Sequence, residues 1–480
     1  MTRINTNIAS LRAVNNLADN NRMLGKSLER LSTGLKINRA SDGPAALIIS
    51  ERLKGQVASL KQAVETSDRA NQMVSTAESA LSEVSSLLIT MQDLIIEASN
   101  DGALSIEEVL ANQFQVDSAI ETITRIASVT SYAGTPLLNG NFDYVVSGMS
   151  RSTVADFGIH GAQITNGVSN IAVEVTVTSN AERAILSVTS ASVTTSTLSG
   201  LNLLVTGNLG SELINFGVQA NTSAIANAVN SLSYATGVNA TISGVNLFFQ
   251  STEYGKDQFV QIHDVTKGNI GSELIYTRDE GVDIEASING TKAASRGLSI
   301  STNTFELNTF MKLSANFFTT NAVVAGVSAS TTFYVTGGGA TFQLGDDANI
   351  RDQEFIGIQR MTADNLGDRT IGFLSDIVTG GLADLSTNPE VAHKIVQSAI
   401  DDVTSLRARL GAFVSNTLDT NTNSLNDAIL SLESSLSRIV DTDFAAATAE
   451  FTKNQILVQA GTSILAQANV TQQNVLQLLQ

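Results

Sequence analysis

The sequence predicts long coiled-coil helices at both ends of the chain with a β-rich or α+β insertion between them, in an elongated multi-domain rod that is mainly α at its termini. Three observations predict this. Near each end, apolar residues recur at alternating steps of three and four. The middle, about residues 140–385, changes to a composition rich in Thr, Ser, Gly, Asn and Val. Aromatic residues are few, with 18 Phe, 6 Tyr and no Trp in 480 residues, which suits seams of Leu, Ile, Val and Ala better than the core of a large globular enzyme.

The first element is RINTNIASLRAVNNLADNNRMLGKSLERL, which places Ile4, Ile8, Leu11, Val14, Leu24, Leu28 and Leu31 on one stripe of a helix otherwise rich in Asn and Arg. LSTGLKINRASDGPAAL interrupts it at Gly34, Gly43 and Pro44, and Asp42 stands where a helix beginning with Pro in its first turn would start. Leu53, Val57, Leu60 and Val64 then repeat at 4-3-4, and Val74, Ala77, Leu81, Val84, Leu88, Met91 and Ile95 repeat at 3-4-3-4-3-4. A heptad seam of that extent predicts a helix of about 50 residues, about 75 Å long. Asn100-Asp101-Gly102 stops it, and Ile106, Val109, Val116, Ile120, Ile123 and Ala127 share a face of the next helix.

The other end mirrors this. Val396, Ala399, Val403, Leu406, Leu410 and Phe413 repeat at 3-4-3-4-3, and Leu425, Ile429, Leu432, Leu436 and Ile439 at 4-3-4-3. QILVQAGTSILAQA sets Ile456, Ala460, Ile464 and Ala468 at four-residue steps, with Leu465 beside them, and NVLQLLQ adds Val475, Leu476, Leu478 and Leu479. Apolar chain ends gain nothing by fraying into water. Both ends are therefore expected to be covered by each other and by further copies of the chain.

In the middle, SNIAVEVTVTSN and GVNLFFQS read as strands between turn residues. LNLLVTGNLGSELINFGVQ reads as a hairpin across Gly207-Asn208-Leu209-Gly210. NTSAIANAVNSL reads as a helix capped by Thr222, and TTFYVTGGGATFQLGDDANI as another pair of strands. One or two inserted domains are expected.

Composition excludes several functions. Net charge is −18, although residues 1–54 hold nine Lys or Arg against four Asp or Glu, so the body of the chain is strongly acidic. That argues against nucleic acid as a partner. The basic residues Arg3, Arg12, Arg22, Lys26, Arg30, Lys36 and Arg39 lack interleaved aromatics, and pairing with acidic groups of the same protein is expected. The absence of Cys excludes disulfides, thiolate metal sites and thiol catalysis. No unbroken apolar run approaches the roughly 20 residues of a membrane span, so no membrane insertion is expected. Arg3 is followed by Asn5, Thr6 and Asn7 rather than an apolar block, which predicts either residence in the cytoplasm or export without a cleaved signal peptide.

A search for chemistry finds little. His160, His263 and His393 are not in an HExxH pair, since IHGAQ and IHDVT lack the second half of the zinc motif. TGGGATF is not followed by GK[ST], so it reads as a tight turn rather than a phosphate loop. The carboxylate pairs Asp346-Asp347 and Asp401-Asp402 diverge whether extended or helical, and read as solvated. No catalytic residue, metal or cofactor is expected.

RINTNIASL, LERLSTGLKINRASDGPAALIISERL and SRIVDTDFAAATAEFTKNQILVQAGTSILAQANVTQQNVLQLLQ resemble bacterial flagellin over roughly 140 residues at the front and 90 at the back. The resemblance implies a filament subunit outside the cell. Residues 1–43 and 447–480 would pair as an inner coiled coil, 44–165 and 385–446 would form a helical rod with a β-hairpin, and 166–384 would be a surface-exposed insertion. It implies a polymerisation interface at Ile4, Ile8, Leu11, Leu28, Leu31, Ile456, Ile464, Leu465, Val475, Leu476, Leu478 and Leu479. Implied partners are further copies of the chain, an export chaperone and export apparatus, and the filament cap and hook-junction proteins. Flagellins are often O-glycosylated in the middle, where SVTSASVTTSTLSG offers many hydroxyls. Flagellins detected by Toll-like receptor 5 carry an arginine, a leucine and a glutamate on the outer helices. Here the matching positions are Thr90, Leu94 and Gln115, so weak receptor binding is expected. The hook–filament junction protein is the alternative, although AGTSILAQAN followed by NVLQLLQ is the flagellin form.

Overall fold

A computed structural model describes residues 7–100, 105–163, 170–188, 202–216, 221–243, 246–265, 275–315, 317 and 329–477. The helices are α1 (Ile8–Thr33), α2 (Pro44–Ala98), α3 (Ile106–Val129), α4 (Thr222–Ser231), α5 (Ser233–Thr236), α6 (Pro389–Ala412), α7 (Asp419–Val440) and α8 (Phe444–Gln477). The chain forms two compact units. One holds residues 1–71, 343–353 and 414–480, and the other holds 72–342 and 354–413.

In the first unit α1 and α8 run antiparallel. The Asn7 side chain caps α1 by accepting from Ser10 N–H at 2.9 Å, and Gly34 ends it in the left-handed region at φ 72°. The chain then meets the α7–α8 connection through Lys36 N–H to Val440 O at 2.6 Å and Thr442 N–H to Gly34 O at 2.9 Å. Asp42, expected at a helix start, turns back along the chain instead. It accepts from Arg39 N–H (3.1 Å) and Asn38 N–H (3.3 Å) and pairs with Lys26 Nζ at 2.8 Å, tying the turn before Pro44 onto α1. Lys26 holds its carboxyl below the usual range. The first part of α2 buries Val57 and Leu60 of the predicted series, together with Ala63, against Leu425 and Ile429 of α7, while Leu53 and Val64 of that series are half-buried.

In the second unit the remaining α2 seam is buried throughout: Val74, Ala77, Leu81, Val84, Leu88, Met91 and Ile95. Val116, Ile120, Ile123 and Ala127 of α3 are buried too, as are Val396, Ala399, Val403, Leu406 and Leu410 of α6. Ile106, predicted on the same face of α3, is 75% exposed at the first position of the helix. Ser105 and Glu108 start α3 with a reciprocal capping box. Gln113 of α3 is buried; its amide donates to Ile377 O (2.8 Å) and accepts from Leu385 N–H (2.9 Å). An unpaired buried backbone group costs about 1–3 kcal/mol, so this one amide holds the 377–385 segment in place.

The strands are β1 (Ser131–Tyr132), β2 (Thr135–Pro136), β3 (Val145–Ser147), β4 (Val154–Ala162), β5 (Ile171–Ser179), β6 (Ile185–Val188), β7 (Asn202–Gly207), β8 (Ser211–Asn215), β9 (Val238–Ser243), β10 (Asn246–Ser251), β11 (Phe259–Asp264), β12 (Ile275–Glu280), β13 (Glu285–Ile288), β14 (Thr291–Lys292), β15 (Ala294–Arg296), β16 (Ser299–Asn303), β17 (Leu307–Leu313), β18 (Ala329–Gly337), β19 (Ala340–Gln343), β20 (Gln353–Ile356), β21 (Gly367–Asp368) and β22 (Gly372–Phe373). β1 and β2 form a hairpin whose two-residue turn has positive φ at Ala133 and Gly134.

The middle has two separate cores. Sheets β14-β13-β5-β18-β3 and β15-β16-β17-β4 enclose Val173, Val175, Val177, Met311, Phe317 and Phe333. Sheets β6-β10-β9 and β12-β11-β7-β8, with α4, enclose Leu203, Val205, Ile225, Phe249 and Ile262. The hairpin across Gly207–Gly210 forms as predicted, pairing Thr206 with Ser211. The cap of α4 is Asn221, which accepts from Ala224 N–H, and not Thr222, which already lies inside the first turn. The two strands of TTFYVTGGGATFQLGDDANI form as β18 and β19, but β18 pairs with β5 and β3. Most of SVTSASVTTSTLSG lies outside the described residues.

Candidate polymerisation surface

The apolar stripe of α1 divides into two faces. Toward α8 point Ala13, Leu17, Asn20, Leu24, Ser27 and Leu31, at strict 4-3-4-3-4 spacing and buried or half-buried. From α8 come Ala447, Phe451, Asn454, Val458, Gly461, Leu465 and Ala468, at 4-3-4-3-4-3. Every second seam position is thus small or polar, with Ala13, Asn20 and Ser27 on one helix and Ala447, Asn454, Gly461 and Ala468 on the other. A Cβ added at Gly461 would lie 3.3 Å from Leu17 Cδ1, so the helices approach closely there. Asn454 Nδ2 donates to Ser27 Oγ at 3.1 Å inside the seam. Near the N-terminus of α1, Asn7 Nδ2 donates to Ala468 O at 3.2 Å.

This seam is narrow and uses little of the available apolar surface. Ile8, Leu11 and Leu28 of α1 and Ile456 and Ile464 of α8 lie on outward faces, each between 52% and 62% exposed. Leu31 and Leu465 are half-buried in the seam. Ile4, Leu478 and Leu479 lie outside the described residues, and Val475 and Leu476 are described only as backbone of α8. The outward set also includes Val14, Met23, Phe444 and Val470. Of these only Val14 falls on the sequence stripe; the others are isolated apolar positions that become a surface only once the seam is known. An apolar surface of this extent marks a site of association.

The basic residues near the N-terminus are largely paired within the unit. Arg22 meets Asp19 at 3.3 Å, Arg30 meets Glu450 at 3.8 Å and Arg39 meets Glu29 at 3.1 Å. All three pairs have an exposed partner and so contribute little stability.

Thr90 on α2 is exposed and its hydroxyl donates to Ser86 O at 3.0 Å, within its own helix. Leu94 is half-buried and Gln115 on α3 is exposed. The structure brings no catalytic group together from the three histidines. His393 meets Gln92 Nε2 at 3.3 Å, while His160 lies on β4 and His263 on β11. Asp346, Asp347 and Asp352 bring three carboxylates close together, with the first two exposed and nothing else at the cluster that indicates a bound ion.

Paired terminal helices that turn a second apolar face outward define a subunit with an association surface. Comparison with known proteins is specific about which kind. Residues 4–143 match the bacterial flagellin N-terminal helical region, and residues 393–479 match the bacterial flagellin C-terminal helical region. The chain is 31% identical to B-type flagellin of Pseudomonas aeruginosa over 99% of each chain. It is 28% identical to flagellin B of Helicobacter pylori, over 100% of this chain and 99% of that one. Among solved structures, it aligns with FliC from Burkholderia pseudomallei at 16% identity, covering 72% of this chain and 99% of that one, with a TM-score of 0.26. The chain belongs to the flagellin family, a family of structural proteins.

Proposed function

We propose that this chain is the structural subunit that polymerises through its terminal helices into the helical flagellar filament used for bacterial motility. The observation that carries the reading is the second apolar face of α1 and α8, which the described residues leave exposed. Residues 1–43 with 447–480 form the inner layer, 44–165 with 385–446 the next, and 166–384 face outward. The interface residues are Ile4, Ile8, Leu11, Leu28, Ile456, Ile464, Val475, Leu476, Leu478 and Leu479, with Leu31 and Leu465 half-buried in the α1–α8 seam behind them. The protein performs no catalysis and needs no cofactor. It leaves the cell through the flagellar export apparatus, with its C-terminal helix held by an export chaperone, and meets hook-junction and cap proteins at the filament ends.

Electron microscopy of purified protein under assembly conditions tests the reading. Long filaments grown from this chain alone are expected; short caps or no polymer would favour the hook–filament junction protein instead.

Weak activation of Toll-like receptor 5 is a further expectation. Thr90 and Gln115 are neutral where the resemblance calls for an arginine and a glutamate, and a charged hydrogen bond lost at an interface costs about 2 kcal/mol or more. Thr90→Arg with Gln115→Glu should raise the response of reporter cells to purified monomer by about tenfold or more. No gain from the double variant would show that these positions do not carry the contact.

A further inference from the structure

Away from the terminal helices, three elements of the second unit meet around a cavity of about 600 Å³. From α6 comes Asp402, which accepts from Gly367 N–H of β21 at 3.1 Å. From the end of β21, at the β21–β22 turn, comes Asp368, which accepts from Thr370 N–H at 2.7 Å and its hydroxyl at 2.6 Å. From β17 comes Lys312, 3.6 Å from Asp368 and directly opposite Asp156 of β4 in the antiparallel register. The cavity is lined by Asp156, His160, Gln359, Arg369, Asp402 and Ser405, among others. The side chains of Gln359 and His160 close over Gly158, where an added Cβ would lie 2.6 Å from Gln359 Nε2 and 3.3 Å from His160 Nε2.

The charges around Asp402 are unbalanced. Asp401 adds a carboxylate from its own helix, Asp368 one from the turn and Asp156 one from the sheet. Against them stand Lys312, already shared with Asp368, Arg369 beside it, and, across the cavity, His160 and Arg360, the latter paired with Asp364 at 2.9 Å. Burial first, and then the neighbouring carboxylates, push the Asp402 carboxyl up to about 6, outweighing the Gly367 N–H bond, which by itself favours the ionised form. By contrast Asp368, although burial works against it, is held below its ordinary value by the Thr370 hydrogen bonds and Lys312.

We propose that this helix–turn–sheet junction is a proton-operated clasp: with Asp402 protonated the β21–β22 turn is seated on α6, and with Asp402 ionised the crowded carboxylates loosen it. The sign follows from linkage. A carboxyl whose folded value lies above its unfolded one favours the folded state when protonated, so the contribution is greatest at low pH and is lost as pH rises through about 6. Protonation leaves the second carboxyl oxygen free to keep the bond from Gly367 N–H.

Asp402→Asn tests the clasp, because the amide keeps an acceptor for Gly367 and cannot ionise. Amide hydrogen exchange of residues 366–373 in the full-length chain, corrected for intrinsic rates, is read at about pH 5 and about pH 7.5, on either side of the Asp402 titration. At the lower pH the variant and parent should agree within about twofold. At the higher pH the parent should open the turn about tenfold more often than the variant, with the difference appearing near pH 6. Asp401→Asn, on the exposed neighbour, should reproduce only a small part of the effect. Equal protection of variant and parent at both pH values would overturn the proposal, as would faster opening in the variant at the higher pH.

Discussion

Cutting the chain after Ala446 is expected to leave a soluble, folded protein that no longer polymerises. The cut removes nearly all of α8, and with it both the partner seam of α1 and the outward faces of Ile456 and Ile464. The second unit keeps its cores, since the buried seams of α2, α3 and α6 and both cores of the middle lie outside the removed segment. Truncation also destroys the seam, so a finer test is needed to assign the loss to the outward face. Ile464→Ser and Ile456→Ser leave the 447–451–454–458–461–465–468 seam intact. Burying an isoleucine contributes about 1.5–3 kcal/mol, and each 1.4 kcal/mol is about tenfold in an equilibrium constant. Each variant should therefore raise the critical concentration for filament growth by about one to two orders of magnitude, measured by sedimentation across a dilution series. Filaments from the truncated protein, or unchanged critical concentrations in both serine variants, would sink the polymerisation reading.

What can be read from the sequence divides along physical lines. The α2 seam is fully legible, because a long helix with one buried stripe writes that stripe into its spacing: every residue from Val74 to Ile95 on the predicted heptad is buried. α1 is legible as a helix but not as two faces. Ile8, Leu11, Leu24, Leu28 and Leu31 are equally apolar, yet Leu24 and Leu31 face α8 while the others face outward. Spacing records where apolar groups are, not how many partners a helix has. The real seam is hidden because half of it is Ala, Gly, Ser and Asn, residues that allow close approach rather than burying large area.

The clasp and the Gln113 anchor are not legible at all. Asp402 and Gln113 look like ordinary polar residues on helices, and what buries them is irregular chain between about residues 358 and 388, which carries no periodicity. Asn289-Gly290 does carry a readable signal. It is the Asn-Gly pair favoured in two-residue hairpins, and it joins β13 to β14 with positive φ at both residues.

Removing a single residue from the C-terminal helices should have opposite consequences at two sites. Val396, Val403 and Leu410 are seven apart, and so are Leu418, Leu425, Leu432 and Ile439, but Leu410 to Leu418 is a step of eight. The extra residue is absorbed by a single turn of π-helix at Phe413–Leu418, which lets Leu418 stay buried at the head of the second series. Deleting Asn416 should therefore be tolerated. The turn becomes α-helical, Leu418 moves into the seventh position after Leu410, and the apolar series continues without interruption. Deleting Ser431 from the regular part of α7 should not be tolerated, since it turns Leu432, Leu436 and Ile439 about 100° away from their present face. Those three are half-buried, and Leu432 packs on the Val57–Leu60 cluster, so the loss should be about 3 kcal/mol. Thermal melting followed by circular dichroism compares the two deletions directly. The Asn416 deletion should melt at or above the parent's midpoint and the Ser431 deletion several degrees below it. Equal destabilisation by both would mean that the π-turn is not a phase correction, and that the eight-residue step has another cause.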